Sequence, residues 1–361
     1  KNEKKSFEIK PYHTGDENAI CALFERVFRK PMGKTESIRH WQWEFLKNPV
    51  DGLFIKLAWD GDKLVGQYTA SPVQMYANGS NFTAALSHDT MTAPQYGGLG
   101  IFRATAEALY TEQKKAGHGF IYGFPNRNSI HGFEKYLNWR RVMSAPVHVR
   151  PLNFTKYIFN KLAGRKNYQV PEKNIAMCMK KTFSETKSGE YRLTIEPEFN
   201  DWADDLWMRC QNQHYLWVIR DKTYLNWRYV ERPESNYIII TIWLEKKTVG
   251  YAVIDLVEKE FGSTLFVLDY MVDLNFKKAG ETLIKYIVKI ACNSGALFAS
   301  VLLSPGSKYR NLFRRHLFMP LPERLFPQQL YFGARCFDHS FIKLIFDPKA
   351  WSISWGDNDV I

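Results

Sequence analysis

The chain has 361 residues, a formal net charge of +12, and apolar and aromatic contents of 45% and 15%. That length exceeds the usual size of one domain, and that composition can fill two buried cores, which excludes general disorder. The five scattered cysteines, Cys21, Cys178, Cys210, Cys292 and Cys336, form no CxxC pair, so neither a disulfide framework nor a metal site is expected and a reducing cytoplasm is the natural setting.

In chain order, the polar start Lys1-Asn2-Glu3-Lys4-Lys5 has no apolar signal core. Glu17 to Phe28 spaces Ile20, Leu23, Phe24 and Val27 as a helix does. His40 to Leu46 predicts a short aromatic helix ended before Pro49. Leu53 to Trp59 and Leu64 to Met75 read as strands joined by the hairpin turn Asp60-Gly61-Asp62. A further strand, Phe82 to Thr92, stops near Pro94. Gly100 to Ala116 is a long helix closed by Gly117, followed by a buried strand at Phe120 to Phe124 and a short helix at Ser129 to Tyr136. The order then repeats: hairpin strands at Tyr237 to Leu244 and Thr248 to Val257, a strand at Leu265 to Val272, a helix at Glu281 to Cys292 and a strand at Phe298 to Leu303. No stretch approaches the roughly 18 apolar residues of a membrane span.

Self-similarity supports that repetition. Trp43, Pro49, Trp59 and Gly66 match Trp227, Pro233, Trp243 and Gly250 at an offset of 184, and Asp89, Met91, Gly100, Phe133 and Leu137 match Asp269, Met271, Gly280, Phe313 and Leu317 at an offset of 180. The expectation is two tandem α/β domains at 1–150 and 195–361, each a mixed, mostly antiparallel sheet flanked by helices, joined by a connector at 151–194. From Arg150 to Lys187 the chain carries Arg150, Lys156, Lys161, Arg165, Lys166, Lys173, Lys180, Lys181 and Lys187 against Glu172 and Glu185. Such a stretch is a solvated basic connector, or a surface for acidic ligands or anionic lipid. No helix-turn-helix, zinc-finger or aromatic RNA-binding signature accompanies it, so nucleic acid is not an expected partner.

The two copies differ at the turn before the long helix. The first reads Gln95-Tyr96-Gly97-Gly98-Leu99-Gly100 and the second Asn275-Phe276-Lys277-Lys278-Ala279-Gly280. A glycine-rich turn opening a helix gathers free N–H groups and the positive end of the helix dipole, a geometry suited to pyrophosphate. It is neither a Walker loop nor a GxGxxG fingerprint, and an ordinary glycine turn has the same spacing. Lys278 in place of Gly98 is expected to obstruct any such cradle in the second copy.

This turn and its surroundings resemble the GCN5-related N-acetyltransferases (GNAT), whose motif is Q/R-x-x-G-x-G/A. The resemblance implies a GNAT fold in both halves and an acyl-coenzyme A donor on the first. Coenzyme A would then be held by Met91, Thr92, Gln95, Tyr96, Gly97, Gly98, Leu99, Gly100, Ile101 and Asn126, with the thioester between strands 86–92 and 120–124. The tandem arrangement is further similar to the N-acyltransferases of bacterial surface-polysaccharide pathways. Those act on nucleotide-linked amino sugars, such as a dTDP-linked 3-amino-3,6-dideoxyhexose, with acetyl or 3-hydroxybutanoyl donors. Acylation of another amine (antibiotic, peptide or protein) and a non-catalytic acyl-CoA-binding role stand as alternatives. Phe133 occupies the place where many family members have a tyrosine acid, and phenylalanine cannot donate a proton.

The acceptor ammonium must lose a proton before it attacks a thioester. His88, opposed by Leu268 in the second copy, is the candidate base, because imidazole titrates near neutrality. Asp89 is its neighbour and is shared with Asp269. Tyr122, His131, Arg220 and Arg228 are candidate acceptor contacts, the arginines for an acidic nucleotide or for an ion pair between domains. The run Trp351-Ser352-Ile353-Ser354-Trp355-Gly356-Asp357-Asn358-Asp359 is distinctive, without an assignable chemistry.

Overall fold

The computed structural model describes residues 6–28, 34–163, 185–233, 235–259, 262–325 and 329–358. Most of the basic connector, residues 164–184, and Asp359 lie outside them. In the first half, strands are β1 (Glu8–Pro11), β2 (Phe54–Asp60), β3 (Lys63–Ala77), β4 (Ser80–Thr92), β5 (Phe120–Gly123), β6 (Arg140–Ser144) and β7 (Val147–Pro151). The second half adds β8 (Glu185–Ser188), β9 (Tyr191–Glu196), β10 (Leu216–Val218), β11 (Ile238–Leu244), β12 (Lys247–Lys259), β13 (Gly262–Val272), β14 (Phe298–Leu302), β15 (Met319–Pro320) and β16 (Tyr331–Cys336). They form two mixed sheets flanked by helices: β1-β2-β3-β4-β5-β16-β6, with β10 on β3, and β15-β7-β14-β13-β12-β11-β9-β8. Among the described residues, β4–β5 and β13–β14 pair in parallel, and the remaining ladders are antiparallel.

The internal repeat holds at the level of register. The β2–β3 ladder slips between Ala58 and Trp59, and the β11–β12 ladder slips between Ile242 and Trp243, their equivalents at the same offset. Each hairpin turns with a residue at positive φ, Gly61 at +58° and Glu245 at +54°, as tight hairpins require. Shared Gly66 and Gly250 are packing positions. A Cβ would lie 2.3 Å from Ile101 Cγ2 at the first and 2.6 Å from Val272 Cγ2 at the second.

The two halves are not separate beads. β7, from the first half, inserts antiparallel between β14 and β15 of the second sheet. Its repeat equivalent β16 inserts between β5 and β6 of the first. Thus the halves expected at 1–150 and 195–361 each lend a strand to the other's sheet. β10 also crosses, pairing Leu216, Trp217 and Val218 with Ala77, Tyr76 and Met75. Hydrophobic clusters are mixed accordingly: Tyr76, Ala145 and Val147 pack with Phe199, Leu206 and Trp217, while Met75, Phe120 and Tyr122 pack with Phe332 and Trp351.

At the centre of this exchange, Trp43 faces its own equivalent, Trp227. The indoles stack at 5.1 Å with 19° between planes. Each ring N–H donates to the other's backbone carbonyl, Trp43 Nε1 to Trp227 O at 2.7 Å and Trp227 Nε1 to Trp43 O at 3.1 Å. The reciprocity is that of a two-fold axis within one chain. The C-terminal run is threaded into the same region. Trp351 forms a parallel bridge with Leu216, and Ser354 and Asp357 close a capping box on each other.

Candidate active site

β4 and β5 pair in parallel only over Ala85–Ile121, Leu86–Tyr122 and Ser87–Gly123. Beyond that point β5 ends, and β4 runs on through His88 to Thr92, so a gap opens between them. At its far side, Gly97 to Gly100 are exposed and lead into the helix Ile101–Lys115. Gly98 and Gly100 have φ of +79° and +83°, values that side chains disfavour. The first helical bond runs from Ala104 N–H to Gly100 O at 3.0 Å. The N–H groups of Ile101, Phe102 and Arg103 therefore precede the ladder and point out of the helix end. Around this loop, Met91 and Ile101 are buried in the core, Tyr96 is anchored through its hydroxyl to Asp60 Oδ2 at 2.5 Å, Thr92 pairs with Gly66, and Gln95 is exposed.

The second half builds the same place differently. Its helix begins at Lys277, not near Glu281, with Phe276 as N-cap in place of a left-handed glycine. Lys277, Lys278 and Ala279 thus form a helical turn where the first half keeps its glycine loop. Gly280 lies inside that turn, where a Cβ would meet Leu312 Cδ2 at 2.7 Å and Tyr270 Oη at 3.0 Å. The difference between the two copies is therefore an added helical turn, not the lysine side chain alone.

His88 is the first β4 residue beyond the β4–β5 ladder. A bulge follows, since Gln67 pairs with Met91 and Thr69 with His88, and Asp89 takes φ of +47°. Such bulges re-aim side chains, and here both His88 and Asp89 approach Glu44. His88 Nε2 lies 2.7 Å from Ser71 Oγ. Its Nδ1 lies 3.3 Å from Glu44 Oε1 and 4.0 Å from Asp89 Oδ2. The Nδ1–Glu44 approach is a charge contact that lacks hydrogen-bond alignment. Phe45 stacks on the imidazole at 5.1 Å. Either atom of the Nε2–Ser71 Oγ bond could be the donor, depending on the imidazole tautomer. Glu44, His88 and Ser71 thus stand in a row, with the carboxylate in charge contact with one ring nitrogen and the hydroxyl hydrogen-bonded to the other. Glu44 sits in the π-helical turn Gln42–Leu46, a widened turn of the kind often found at functional sites.

Neither Glu44 nor Ser71 stands in a recognisable motif, although the repeat carries the signal. Glu44, Ser71 and His88 face Arg228, Asp255 and Leu268 at the offsets of 184, 184 and 180. Glu44 and Arg228 line one pocket from opposite halves, together with His40, Trp43, Ser71, Val73, Leu86, His88, Tyr122, Tyr224, Trp227, Arg232, Gly356, Asp357 and Asn358. Burial, then Arg232 and Arg228, push the His40 ring down to about 4, so it is neutral at pH 7 and its 4.0 Å approach to Glu44 is not an ion pair. Arg228 donates through Nε to Gly356 O at 2.9 Å and through Nη2 to Asn358 O at 2.8 Å. Its buried Nη1 has no hydrogen-bond partner among the described residues.

Other predicted contacts lie elsewhere. Arg220 is buried and fully engaged, with Nε at 3.1 Å from Asp269 and Nη2 at 2.7 Å from Asp357, so it ties the C-terminal run to β13 and offers nothing to a ligand. Burial, with the Asp357 carboxylate, holds Asp269 above the ordinary carboxylate range although Arg220 pulls the other way. His131 is exposed on the helix Ile130–Leu137, outside the pocket. Asn126 uses its side-chain oxygen on the N–H groups of Asn128 and Ser129 at 2.9 and 3.1 Å, which makes it a turn former ahead of that helix. Phe133 is buried against Phe102 and Trp139.

Residues 8–138 match the family model described as acetyltransferase (GNAT) domain. No curated protein matches the chain. Among solved structures, a GCN5-related N-acetyltransferase from Anabaena variabilis is 15% identical with a TM-score of 0.62, covering 92% of this chain and 73% of that one. A probable N-acyltransferase from Enterococcus faecalis is 15% identical with a TM-score of 0.60, covering 93% and 74%. Saccharomyces cerevisiae N-myristoyltransferase with bound myristoyl-CoA is 15% identical with a TM-score of 0.58, covering 92% and 84%. Identity at that level speaks for fold alone. The family model thus covers the first half, and the chain as a whole has the fold of these N-acyltransferase structures.

Proposed function

We propose that the chain is an acyl-CoA-dependent N-acyltransferase with one donor site, on the first half, and its acceptor site in the pocket between the halves. The observation that carries this is the continuity of the parts. The glycine loop opens beside the β4–β5 gap, and the gap leads to His88, Ser71 and Glu44 on the pocket wall. Coenzyme A pyrophosphate fits the loop's outward N–H groups and helix dipole. The acceptor amine attacks the thioester carbonyl, the C–N bond forms and the coenzyme A thiolate leaves. His88 takes the amine proton at Nε2 through Ser71 Oγ, and Glu44 stabilises the imidazolium.

The acceptor in this proposal is a nucleotide-linked amino sugar. Trp43, Tyr122, Tyr224 and Trp227 give the pocket an aromatic lining that suits a sugar or base, and Nη1 of buried Arg228, without a hydrogen-bond partner among the described residues, suits an anionic tether. The test is thiol release from acetyl- and 3-hydroxybutanoyl-CoA across a panel of nucleotide amino sugars, free amino sugars and peptide amines, with products weighed by mass spectrometry. Equal turnover of free and nucleotide-linked sugar would reject this acceptor class. Binding of coenzyme A without amine-dependent thiol release would reject the enzyme itself.

A further inference from the structure

The helix Phe154–Leu162 is packed inside out. Asn160 faces the body of the protein at 2% exposure, while Phe154, Ile158 and Leu162, spaced four apart on one stripe, are 56%, 38% and 83% exposed. Tyr157 holds the helix down by packing edge-on against Phe298 at 5.1 Å. A surface helix ordinarily turns its apolar stripe to the core, and among the described residues none of these three side chains joins a core cluster. Next to it, β15 pairs Met319 with Val149 on β7, the strand that feeds the helix. Leu317 and Met319 there are exposed as well. The helix has no acidic residue and carries Lys156 and Lys161, and Arg314 and Arg315 are exposed just before Leu317. Arg150 completes the basic rim, with Nη1 on His316 O at 2.8 Å.

We propose that this face docks on a lipid bilayer surface rich in anionic headgroups. Apolar side chains on one stripe with cations at their margins match a bilayer's acyl boundary and its negative surface. A helix of this length is far too short to span, so it would lie in the interface. Charge complementarity is what selects lipid over a protein groove, since cations predominate at the rim: Lys156, Lys161 and Arg314 stand there, with Arg315 offset by the Glu281 carboxylate at 3.5 Å.

The experiment is flotation of the purified chain with vesicles of phosphatidylcholine alone, and with phosphatidylcholine and phosphatidylglycerol in equal parts. The chain should float with the mixed vesicles and not with the neutral ones, and less so as salt rises. Ile158→Glu with Leu162→Glu should lower partitioning roughly tenfold or more, because two buried apolar side chains are lost. Lys156→Ala and Lys161→Ala should each lower it about fivefold. Both positions of the glutamate pair are exposed, so circular dichroism and turnover of a water-soluble amine should match the parent. The proposal is overturned if the glutamate variant floats as the parent does, or if neutral vesicles bind as well as anionic ones. It is also overturned if sedimentation shows that the face joins two copies of the chain in a dimer that the variant abolishes.

Discussion

Replacing Gly98 with lysine would give the first half the second half's residue at the centre of its loop. Gly98 stands at φ of +79° with nothing within 4 Å of an added Cβ, so the cost is conformational, not steric. A lysine held in that left-handed conformation is destabilised by about 1–2 kcal/mol. The loop can escape this strain by winding into a helical turn, as Lys277 to Ala279 do in the second half. Its N–H groups would then bond within the helix instead of meeting phosphate, and each lost charge-assisted bond is worth about 1.5–3 kcal/mol. The new ammonium offsets up to about 1 kcal/mol by attracting phosphate. The net loss should reach about 1.4 kcal/mol, a tenfold weaker dissociation constant for coenzyme A. Calorimetry is the assay, with Gly98→Ala as a variant that keeps the strain and lacks the charge. Parental affinity and parental melting temperature in both variants would refute the reasoning. So would two equal coenzyme A sites per chain in the parent.

His88→Ala, Ser71→Ala and Glu44→Gln should lower turnover, the first by roughly a hundredfold, while leaving coenzyme A affinity unchanged in calorimetry. A parental rate in His88→Ala would place the base elsewhere. Asp357→Ala leaves the buried Arg220 guanidinium short of a partner and should cost about 3–5 kcal/mol in urea unfolding; a change below about 1 kcal/mol would show the triad to be incidental. Burial first, and neighbouring cations second, hold His40 at about 4 and His214 at about 3 against the ordinary 6.5. The unfolded chain therefore takes up protons first as pH falls, so stability is full above pH 6.5 and declines toward about pH 3. A urea midpoint that stays flat over that window would contradict it. One ligand atom each from Glu44, His88 and Asp89 lies within 4.8 Å of the others, yet the proton relay needs no ion, so dialysis against a chelator should leave turnover unchanged. Loss of activity restored by zinc would make the trio a metal centre instead.

The repeat, the glycine loop and the main strands and helices were legible in the amino-acid sequence because their causes are local. Apolar spacing, Asp-Gly turns and paired glycines act within a few residues. Comparison of the copies singled out His88, and the same offsets mark Glu44 and Ser71, but nothing local says that a π-helical turn and two strands converge. The start of the second long helix moved from Glu281 to Lys277, because Lys277 and Lys278 are helix formers where the first half has glycines. The short strands β6, β7, β15 and β16 carried little periodicity of their own. Their place is set by the gaps each sheet leaves beside β5 and β14. Arg220 showed the same limit: its charge was visible in sequence, but its partners Asp269 and Asp357 come from β13 and the C-terminal run. What the sequence alone determined is two copies of one α/β fold, with a glycine-rich turn before the long helix in the first copy only. What the tertiary structure decided is that the halves exchange strands about the Trp43–Trp227 contact and so build a pocket between them. Pairing between residues 184 positions apart depends on which surfaces remain unburied after each half forms, and that is a property of the assembled fold.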